Sequence, residues 1–256
     1  MVSPPEFFRY PELRAHFDAL YDLLAAELGP RAASPILDLG SGNGSTLAAI
    51  TAGTDLRGVA VDLRRAAEWQ GPAGFPLILA NGATLPFPDN AFPTSLNTET
   101  IEWLTNPVAV LREAGRVSRD RIIIEHTNWE SLWFDSDDPD TSREFTRLFA
   151  REGQEPKTDE DGAPGMGGVL ENLATEAGLR LEQTWVHVIR GDRIETDTYA
   201  KHLLALMREW LCHQLGSVRA RRFDEWRAAL DQRAAAGEFS FSLDRHVLLA
   251  RPPLLS

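Results

Sequence analysis

The residues best suited to chemistry lie in the segment Pro35–Ser45, where one acid precedes three closely spaced glycines. Asp38 stands within a short apolar run that reads as a buried strand. The glycines follow it at alternate positions: Gly40, Gly42 and Gly44. Glycine lets a backbone turn tightly and approach a ligand, and the helix start after such a turn presents free N–H groups. Strand, turn and helix, with Ser45 as N-cap, therefore predict a cradle for a nucleotide.

The spacing of the glycines distinguishes between two kinds of nucleotide. A dinucleotide-binding turn has the pattern G-x-G-x-x-G, in which the glycines approach a pyrophosphate. Here the pattern is G-x-G-x-G, and Asp38 lies two residues before the first glycine. A buried carboxylate repels a pyrophosphate and suits a cation, so the pattern favours a cationic nucleotide. The alternative is an ordinary glycine-rich turn from strand to helix that holds no ligand.

Polar residues also follow three further predicted strands. Asp62 ends the second strand, where its carboxylate could accept hydrogen bonds from both ribose hydroxyls or could simply begin a loop. Asn81 follows the third strand, and its amide oxygen can accept a hydrogen bond. Glu99 and Glu102 follow the fourth strand, either as ligand contacts or as solvated residues. Open α/β sheets bind ligands at the carboxyl ends of their strands, so we expect these side chains to converge.

An alternation of apolar runs and helical patterns must position these residues. Strands are predicted at residues 35–39, 58–61, 76–80, 92–97, 121–125, 179–189 and 239–250. Helices are predicted at residues 11–28, 45–50, 107–117, 129–150, 168–177, 199–211 and 223–230. Residues 151–167 are acidic and rich in glycine and proline, which is typical of a loop. The alternation favours an α/β fold with a mainly parallel sheet covered on both faces.

These segments resemble, in order, the cofactor-binding motifs of the class I S-adenosylmethionine (SAM) methyltransferases. Residues 35–45 are similar to the family's first motif, residues 80–92 to its D-A-x-x-L-P-F-x-D-x-x-F-D stretch, and residues 111–117 to its L-R-E-x-x-R-V helix. The resemblance covers residues 35–126. It implies a Rossmann-like α/β fold with seven mostly parallel strands, an antiparallel last strand and helical lid elements.

The resemblance also implies SAM as the cofactor and S-adenosylhomocysteine as the product. The positions that match the family's SAM contacts are Asp38, Gly40, Ser41, Gly42, Gly44, Asp62, Leu63, Asn81, Gly82, Ala83 and Glu99. Two positions depart from the family pattern. Asn81 replaces an acid that accepts from the adenine amino group, and Pro93 replaces an acid that serves the sheet.

Beyond the fifth strand, residues 124–139 resemble a segment of small-molecule methyltransferases, similar to ubiquinone/menaquinone-type enzymes and to sugar O-methyltransferases. His126 and Asn128 stand where that subgroup has acids. The candidate catalytic residues are His126, Asn128 and Glu102. We expect His126, just past the fifth strand, to be the base because the ordinary pKa of histidine is near neutral. The alternative is a structural histidine bonded to the backbone.

Three tryptophans near these residues could line an aromatic pocket for the methyl acceptor or could pack in the core: Trp103, Trp129 and Trp133. The spacing of the histidines and acids matches no metal site, so no metal is expected. The acidic run Asp135–Asp140 instead suits the N-terminal surface of a helix.

Composition limits the remaining function classes. The length of 256 residues suits a single domain over residues 1–256, with a helical cap at 1–30 and lid helices within 129–170 and 195–236. The net charge of −12 argues against a nucleic-acid partner, and the chain has no apolar run long enough for a membrane span. One cysteine, Cys212, and no export signal favour a cytoplasmic monomer or homodimer that acts on a small molecule.

Several functions compete at this stage. The first is methyl transfer from SAM to an oxygen or nitrogen of a small-molecule acceptor in a biosynthetic pathway. The second is a SAM-dependent cyclisation or elimination that releases methylthioadenosine, and the third is SAM binding without catalysis. A nicotinamide-dependent dehydrogenase is disfavoured because the third glycine of the dinucleotide pattern is displaced.

Overall fold

The strands of the chain form one twisted sheet with seven members. A computed structural model describes residues 34–51, 56–65, 71, 74–153 and 170–253. The strands are β1 (Ile36–Leu39), β2 (Gly58–Asp62), β3 (Leu77–Leu79), β4 (Phe92–Thr98), β5 (Ser118–Phe134), β6 (Arg180–Gly191) and β7 (Phe241–Arg251). Their order is β3-β2-β1-β4-β5-β7-β6. The strand β7 runs antiparallel to the other six, so its pairings with β5 and β6 are antiparallel and all other pairings are parallel. The predicted seven-stranded Rossmann-like sheet with an antiparallel last strand is confirmed.

Helices cover both faces of this sheet. They are α1 (Ser45–Thr51), a 3-10 turn (Ile101–Trp103), α2 (Pro107–Val117), α3 (Pro139–Gly153), α4 (Leu170–Glu176) and α5 (Tyr199–Ala236). One apolar cluster joins the sheet to α1, α3 and α5, and we call this side the α5 face. A second cluster joins the opposite side to α2 and α4, and we call it the α2 face.

Strand alternation assigns the polar residues of the sheet to these faces, because successive side chains point to opposite sides. Ile36 packs in the cluster of the α5 face and Leu37 in that of the α2 face, so Asp38 lies on the α5 face. In β5, Ile123 packs on the α5 face and Ile124 on the α2 face. Glu125 therefore lies on the same face as Asp38, and the following residue, His126, lies on the other.

The fifth strand is much longer than predicted, and the helix predicted at residues 129–150 is wrong over its first part. β5 continues to Phe134 because β7 pairs with it as far as Phe134 opposite Phe241, after an irregular register between Asn128 and Trp133. The helix α3 begins only at Pro139. Asp138 caps it, accepting hydrogen bonds from the Thr141 backbone and hydroxyl, so the predicted acidic helix start is confirmed.

Other predictions need smaller corrections. The two helices predicted at residues 199–211 and 223–230 are one helix, α5, which runs from the N-cap Thr198 to a left-handed Gly237. Ser45 is the first residue of α1 rather than its cap. Pro93, which has no N–H to donate, sits where the register of β4 against β5 shifts. The predicted helix at residues 11–28 and most of the loop at 151–167 lie outside the described residues.

Two further properties concern the described residues only. None of their helices is both long and apolar enough to cross a membrane. Their histidines, cysteines and acids also form no group of three that could hold a metal ion. The division into one domain with a cap at 1–30 and lid helices within 129–170 and 195–236 stays a prediction.

Candidate active site

The glycine turn after β1 is tied to both neighbouring strands. Gly40 donates a backbone hydrogen bond of 2.8 Å to Val61 in β2, and its carbonyl accepts one of 3.1 Å from the hydroxyl of Thr100 beyond β4. The backbone of Gly42 donates to the Asp62 carboxylate at 2.9 Å. These bonds fix the turn against the carboxyl ends of β2 and β4, where the sequence predicted the ligand.

Two positions of this turn require glycine, each for a different reason. Gly40 has φ +77°, and a Cβ there would lie 2.2 Å from the Thr100 side chain, so close packing excludes any larger residue. Gly42 has φ +53°, and a Cβ there would meet no atom of the described residues within 4 Å. The turn is thus packed on one side and open on the other, and Gly42 leaves space for a ligand to approach its backbone.

Asp38 is the most perturbed acid of the turn. Its side chain is 1% exposed, and its Oδ2 has no hydrogen-bond partner among the described residues. Burial, followed by repulsion from Asp62, raises the pKa of the Asp38 carboxyl to about 7. No lysine or arginine of the described residues forms an ion pair with it. A buried carboxylate without a cation is costly, so this position is suited to a ligand that brings a positive charge.

Asp62 ends β2 with both carboxylate oxygens directed to backbone. Oδ2 accepts from Gly42, and Oδ1 accepts from the backbone of Arg64 at 3.0 Å. Each carboxylate oxygen can accept a second hydrogen bond, so a diol remains a suitable partner. The next residue, Leu63, is 67% exposed, and Leu79, which pairs with Asp62 in the sheet, is 58% exposed. An apolar surface therefore borders this carboxylate.

The loop after β3 carries Asn81 at its start. The Asn81 Oδ1 accepts a hydrogen bond of 2.9 Å from the Ala83 backbone, which leaves one lone pair and the amide NH₂ for a ligand. Gly82 and Ala83 are half-buried beside it. Arg116 and Glu113 of α2 hold the same loop, through bonds to the carbonyls of Leu85 and Phe87 and from the Leu85 N–H. The L-R-E-x-x-R-V helix thus fixes the loop that bears Asn81.

Glu99, the residue after β4, belongs to a buried charge network on the α5 face. It has φ +50°, and its backbone donates to the Glu125 carbonyl at 3.0 Å. Its Oε1 accepts from the Thr127 hydroxyl at 2.7 Å and from the guanidinium of Arg245. Arg245, in β7, also pairs with Glu125 at 2.5 Å, and both of these residues are almost fully buried. We call Glu99, Glu125 and Arg245 the arginine cluster.

Glu102, in the 3-10 turn that follows Glu99, belongs to the same network. A hydrogen bond links the carboxyl groups of Glu102 and Glu99. Burial, followed by repulsion from Glu99, raises the pKa of Glu102 well above its usual range. Burial also raises the pKa of Glu99, although the attraction of Arg245 opposes that rise. At neutral pH the network carries less negative charge than its three carboxyl groups suggest.

The geometry around His126 differs from that expected of a base beyond the strand. His126 lies inside β5, is fully buried, and faces the α2 face, opposite to Asp38 and Glu125. Its Nδ1 lies 2.8 Å from the Thr127 carbonyl, which places the proton on Nδ1 and the lone pair on Nε2. Burial, followed by repulsion from His246, lowers the pKa of His126 to about 4. Asn128 is half-buried on the same side of β5.

The three tryptophans divide between the two predicted roles. Trp129 packs edge-on against Phe149 at 5.3 Å between ring centroids, so it belongs to the interior. Trp103 is 48% exposed in the turn that carries Glu102, and Trp133 is 46% exposed in β5. Large aromatic surfaces therefore remain open near the carboxyl ends of β4 and β5.

The match to known sequences covers this glycine turn and the strands around it. Residues 37–122 match the family model described as the methyltransferase domain. The segment from β1 to the first part of β5 is therefore similar to the methyltransferase domain that this model describes. An uncharacterized 37.1 kDa protein from transposon Tn4556 of Streptomyces fradiae is 27% identical over 177 residues, which are 65% of this chain and 48% of that protein. The chain thus spans about half the length of the curated relative that it matches.

Solved structures share the fold of this chain. A candidate methyltransferase from Bacillus halodurans aligns with a TM-score of 0.57 at 14% identity, covering 92% of this chain and 99% of that one. The cyclase SpnF aligns with a TM-score of 0.52 at 16% identity, covering 93% and 82%. At these identities the likeness shows the fold alone.

The roles of site residues within the matched segment, residues 37–122, were easier to predict from the sequence than the roles of those beyond it. The match includes every predicted SAM contact, and the structure brings these residues to the carboxyl ends of β1 to β4. His126, Asn128 and Arg245 lie beyond it. Sequence reasoning missed the role of Arg245 and its partner Glu125. The available signal was an arginine within the apolar pattern of the last strand, because a buried arginine requires an acid nearby.

Proposed function

We propose that the protein binds SAM at the glycine turn and transfers its methyl group to an oxygen or nitrogen of a small-molecule acceptor. The observation that carries this proposal is Asp38, a buried carboxylate with no cation among the described residues and an Oδ2 without a partner. SAM has a sulfonium and an ammonium group, so it supplies the positive charge that this carboxylate lacks.

The remaining contacts of the cradle suit the other parts of SAM. Asp62 would accept from the ribose hydroxyls, and the exposed side chain of Leu63 would cover the adenine ring. Asn81 can accept from an amino group and donate to a ring nitrogen, so it suits adenine at least as well as the acid that it replaces. Gly42 leaves its Cβ position open for the ligand.

Methyl transfer requires alignment of the acceptor and, for a hydroxyl or an ammonium, removal of a proton. SAM supplies the methyl group and its sulfonium leaving group. We assign the alignment of the acceptor to the exposed Trp103 and Trp133. Glu102 is the better candidate for the proton acceptor, because its raised pKa makes its carboxylate a stronger base than an ordinary glutamate. His126 and Asn128 remain the alternative set.

A SAM-dependent cyclisation or elimination is the second candidate function. The lowered pKa of His126 makes it a weak base and so favours the cyclisation, in which an ionised carboxylate can displace methylthioadenosine without giving up a proton, over the elimination, which needs a proton acceptor. The likeness in fold to the cyclase SpnF is compatible with either reaction.

Product analysis separates the candidates. The purified protein is incubated with SAM and pools of small molecules that carry hydroxyl or amino groups, and the mixture is analysed by mass spectrometry. Methyl transfer predicts S-adenosylhomocysteine together with an acceptor that has gained one methyl group. Methylthioadenosine as the product would instead support the second candidate. SAM binding without either product from any pool would contradict catalysis by this chain.

A further inference from the structure

Arg245 is a buried cation in the strand farthest along the chain, and it reaches the loop that borders the glycine turn. Its side chain is 2% exposed, and it pairs with Glu99 after β4 and with Glu125 in β5. We propose that Arg245 is a positioning residue for SAM, which holds the Glu99 carboxylate ionised and fixed at the mouth of the cradle. This inference rests on the proposed function, since it concerns the same ligand.

The carboxylate of Glu99 is held by partners on two elements. Arg245 and Thr127 both bind its Oε1, so this oxygen is held from two sides. The side chain as a whole remains 35% exposed, so a part of the carboxylate can still be reached by a ligand. Its partners therefore orient the carboxylate while the side chain keeps an exposed part that a ligand can reach.

Glu99 is connected to the glycine turn of the cradle through the residue that follows it. The next residue, Thr100, donates its hydroxyl to the carbonyl of Gly40 and packs where a Cβ of Gly40 would lie. Glu99 is in a left-handed conformation that non-glycine residues rarely adopt. Its ion pair with Arg245 and its backbone bond to Glu125 therefore stabilise the loop that supports the glycine turn.

Several ionisable groups surround Arg245. The ionisable groups that interact electrostatically with Arg245 or with its partners come from four elements. They are Glu99 and Glu102 from the loop after β4, Glu125 and His126 from β5, His187 from β6 and Tyr199 from α5. Burial raises the pKa of Glu99, the attraction of Arg245 opposes this rise, and repulsion from Glu125 adds to it, so that the pKa stays above its usual value. Without Arg245, Glu99 would take up a proton more readily and would lose its attraction for a cationic ligand.

A purely structural role for Arg245 is the competing interpretation, because its pair with Glu125 also links β5 to β7. The two roles differ in their dependence on pH. A structural role predicts the same loss of SAM affinity at every pH. The positioning role predicts a loss that is large at low pH and small at high pH, where Glu99 ionises even without its partner.

The test measures SAM affinity by calorimetry from about pH 6 to about pH 9 for the full chain and its variants. Arg245→Met removes the cation, and Arg245→Lys is the conservative replacement. The single variant leaves the buried Glu125 carboxylate without its cation. The double variant Arg245→Met with Glu125→Gln also removes that negative charge, and it is used if the single variant does not fold. Arg222→Met is the matched control, because Arg222 pairs with Glu144 between α5 and α3 at 2.6 Å.

We expect Arg245→Met, or the double variant if the single one does not fold, to weaken SAM binding about tenfold near pH 6 and to approach wild-type affinity near pH 9. Each affinity is taken relative to wild type at the same pH, so the titration of Asp38 cancels. Arg245→Lys keeps the charge but cannot reach both carboxylates with one ammonium group, so its affinity near pH 6 should lie between those of Arg245→Met and wild type. Arg222→Met should match wild type at every pH.

An equal loss at every pH, or no loss at all, would overturn the positioning role. An affinity of Arg245→Lys near pH 6 that is no higher than that of Arg245→Met would also overturn it. If wild-type protein does not bind SAM at any pH, the proposed function fails rather than this inference, so the two failures are distinguishable.

Discussion

The Asp38 cradle and the arginine cluster both gather buried carboxylates, but they balance this negative charge in different ways. In the arginine cluster, Glu99 and Glu125 share the guanidinium of Arg245. In the cradle, Asp38 has no cation among the described residues, and burial raises its pKa to about 7. The chain itself supplies a cation to the first region, which offsets part of the charge of its carboxylates, whereas the second has no such cation among the described residues and is suited to a ligand that brings one. Charge that the fold leaves unbalanced therefore indicates the ligand-binding position.

This difference also has a consequence for stability. A carboxyl group whose folded pKa lies above its unfolded value of 3.8 binds a proton more tightly in the folded state. Its contribution is therefore favourable at low pH and is lost as the pH rises toward about 7. The cradle thus lowers the stability of the free protein at neutral pH, while a cation bound beside Asp38 offsets this loss.

The largest effect should come from filling the open side of the cradle. Gly42→Val is expected to abolish SAM binding in calorimetry, because its side chain would occupy space that is free of described residues within 4 Å. Gly237→Val is the matched control, since Gly237 also has a positive φ and open space, but caps α5. Both variants should lose about 1–2 kcal/mol of stability from backbone strain. Unchanged SAM affinity in Gly42→Val would remove the cradle from the site.

Replacing the Asp38 carboxylate by a neutral amide tests whether its negative charge contributes to ligand binding. Asp38→Asn should weaken SAM binding about 10- to 100-fold, because it removes a charge-assisted contact. The same variant should melt at a higher temperature than wild type at pH 8 without ligand, since no buried carboxylate then has to ionise. A variant that loses stability at pH 8 while it keeps its SAM affinity would show that Asp38 serves the fold.

The proposed base can be compared with the alternative set by two substitutions. Glu102→Gln should lower the turnover number about 10²-fold or more, and His126→Gln should lower it less, because Glu102 has the more basic side chain. In wild type, turnover should rise with pH as Glu102 loses its proton. The reverse order of the two variants, measured on an acceptor found by mass spectrometry, would return the role of base to His126.

The smallest expected effect is a proton released on binding. Near pH 7 the Asp38 carboxyl is partly protonated, and a bound cation lowers its pKa. SAM binding should then release about half a proton per site near pH 7 and should tighten as the pH rises through this range. Calorimetric titrations in two buffers of different ionisation enthalpy measure this release. Proton uptake, or affinity that falls as the pH rises, would contradict the assignment.

Sequence patterns predicted one half of the sheet better than the other for a physical reason. The strands β1 to β4 are short apolar runs bounded by turn residues, and each begins and ends within one or two residues of its prediction. In β5, the residues from Trp129 to Phe134 have an apolar pattern that fits a helix equally well. Pairing with β7, more than a hundred residues away, makes this segment a strand.

The same contrast applies to the candidate site. The glycine turn could be predicted because its chemistry lies within eight consecutive residues. The position of Glu99 depends on Arg245, which is 146 residues away in the chain. The character of His126 likewise depends on which face of β5 it occupies and on its neighbour His246. Such properties follow from strand register, which local patterns do not determine.

The most direct test of the central claim is a calorimetric titration of the wild-type protein with SAM, run in parallel with NAD. The Asp38 cradle predicts saturable binding of one SAM per chain and no measurable binding of NAD, because the buried acid favours a cation and repels a pyrophosphate. Saturable NAD binding, or the absence of SAM binding to folded protein, would contradict the account.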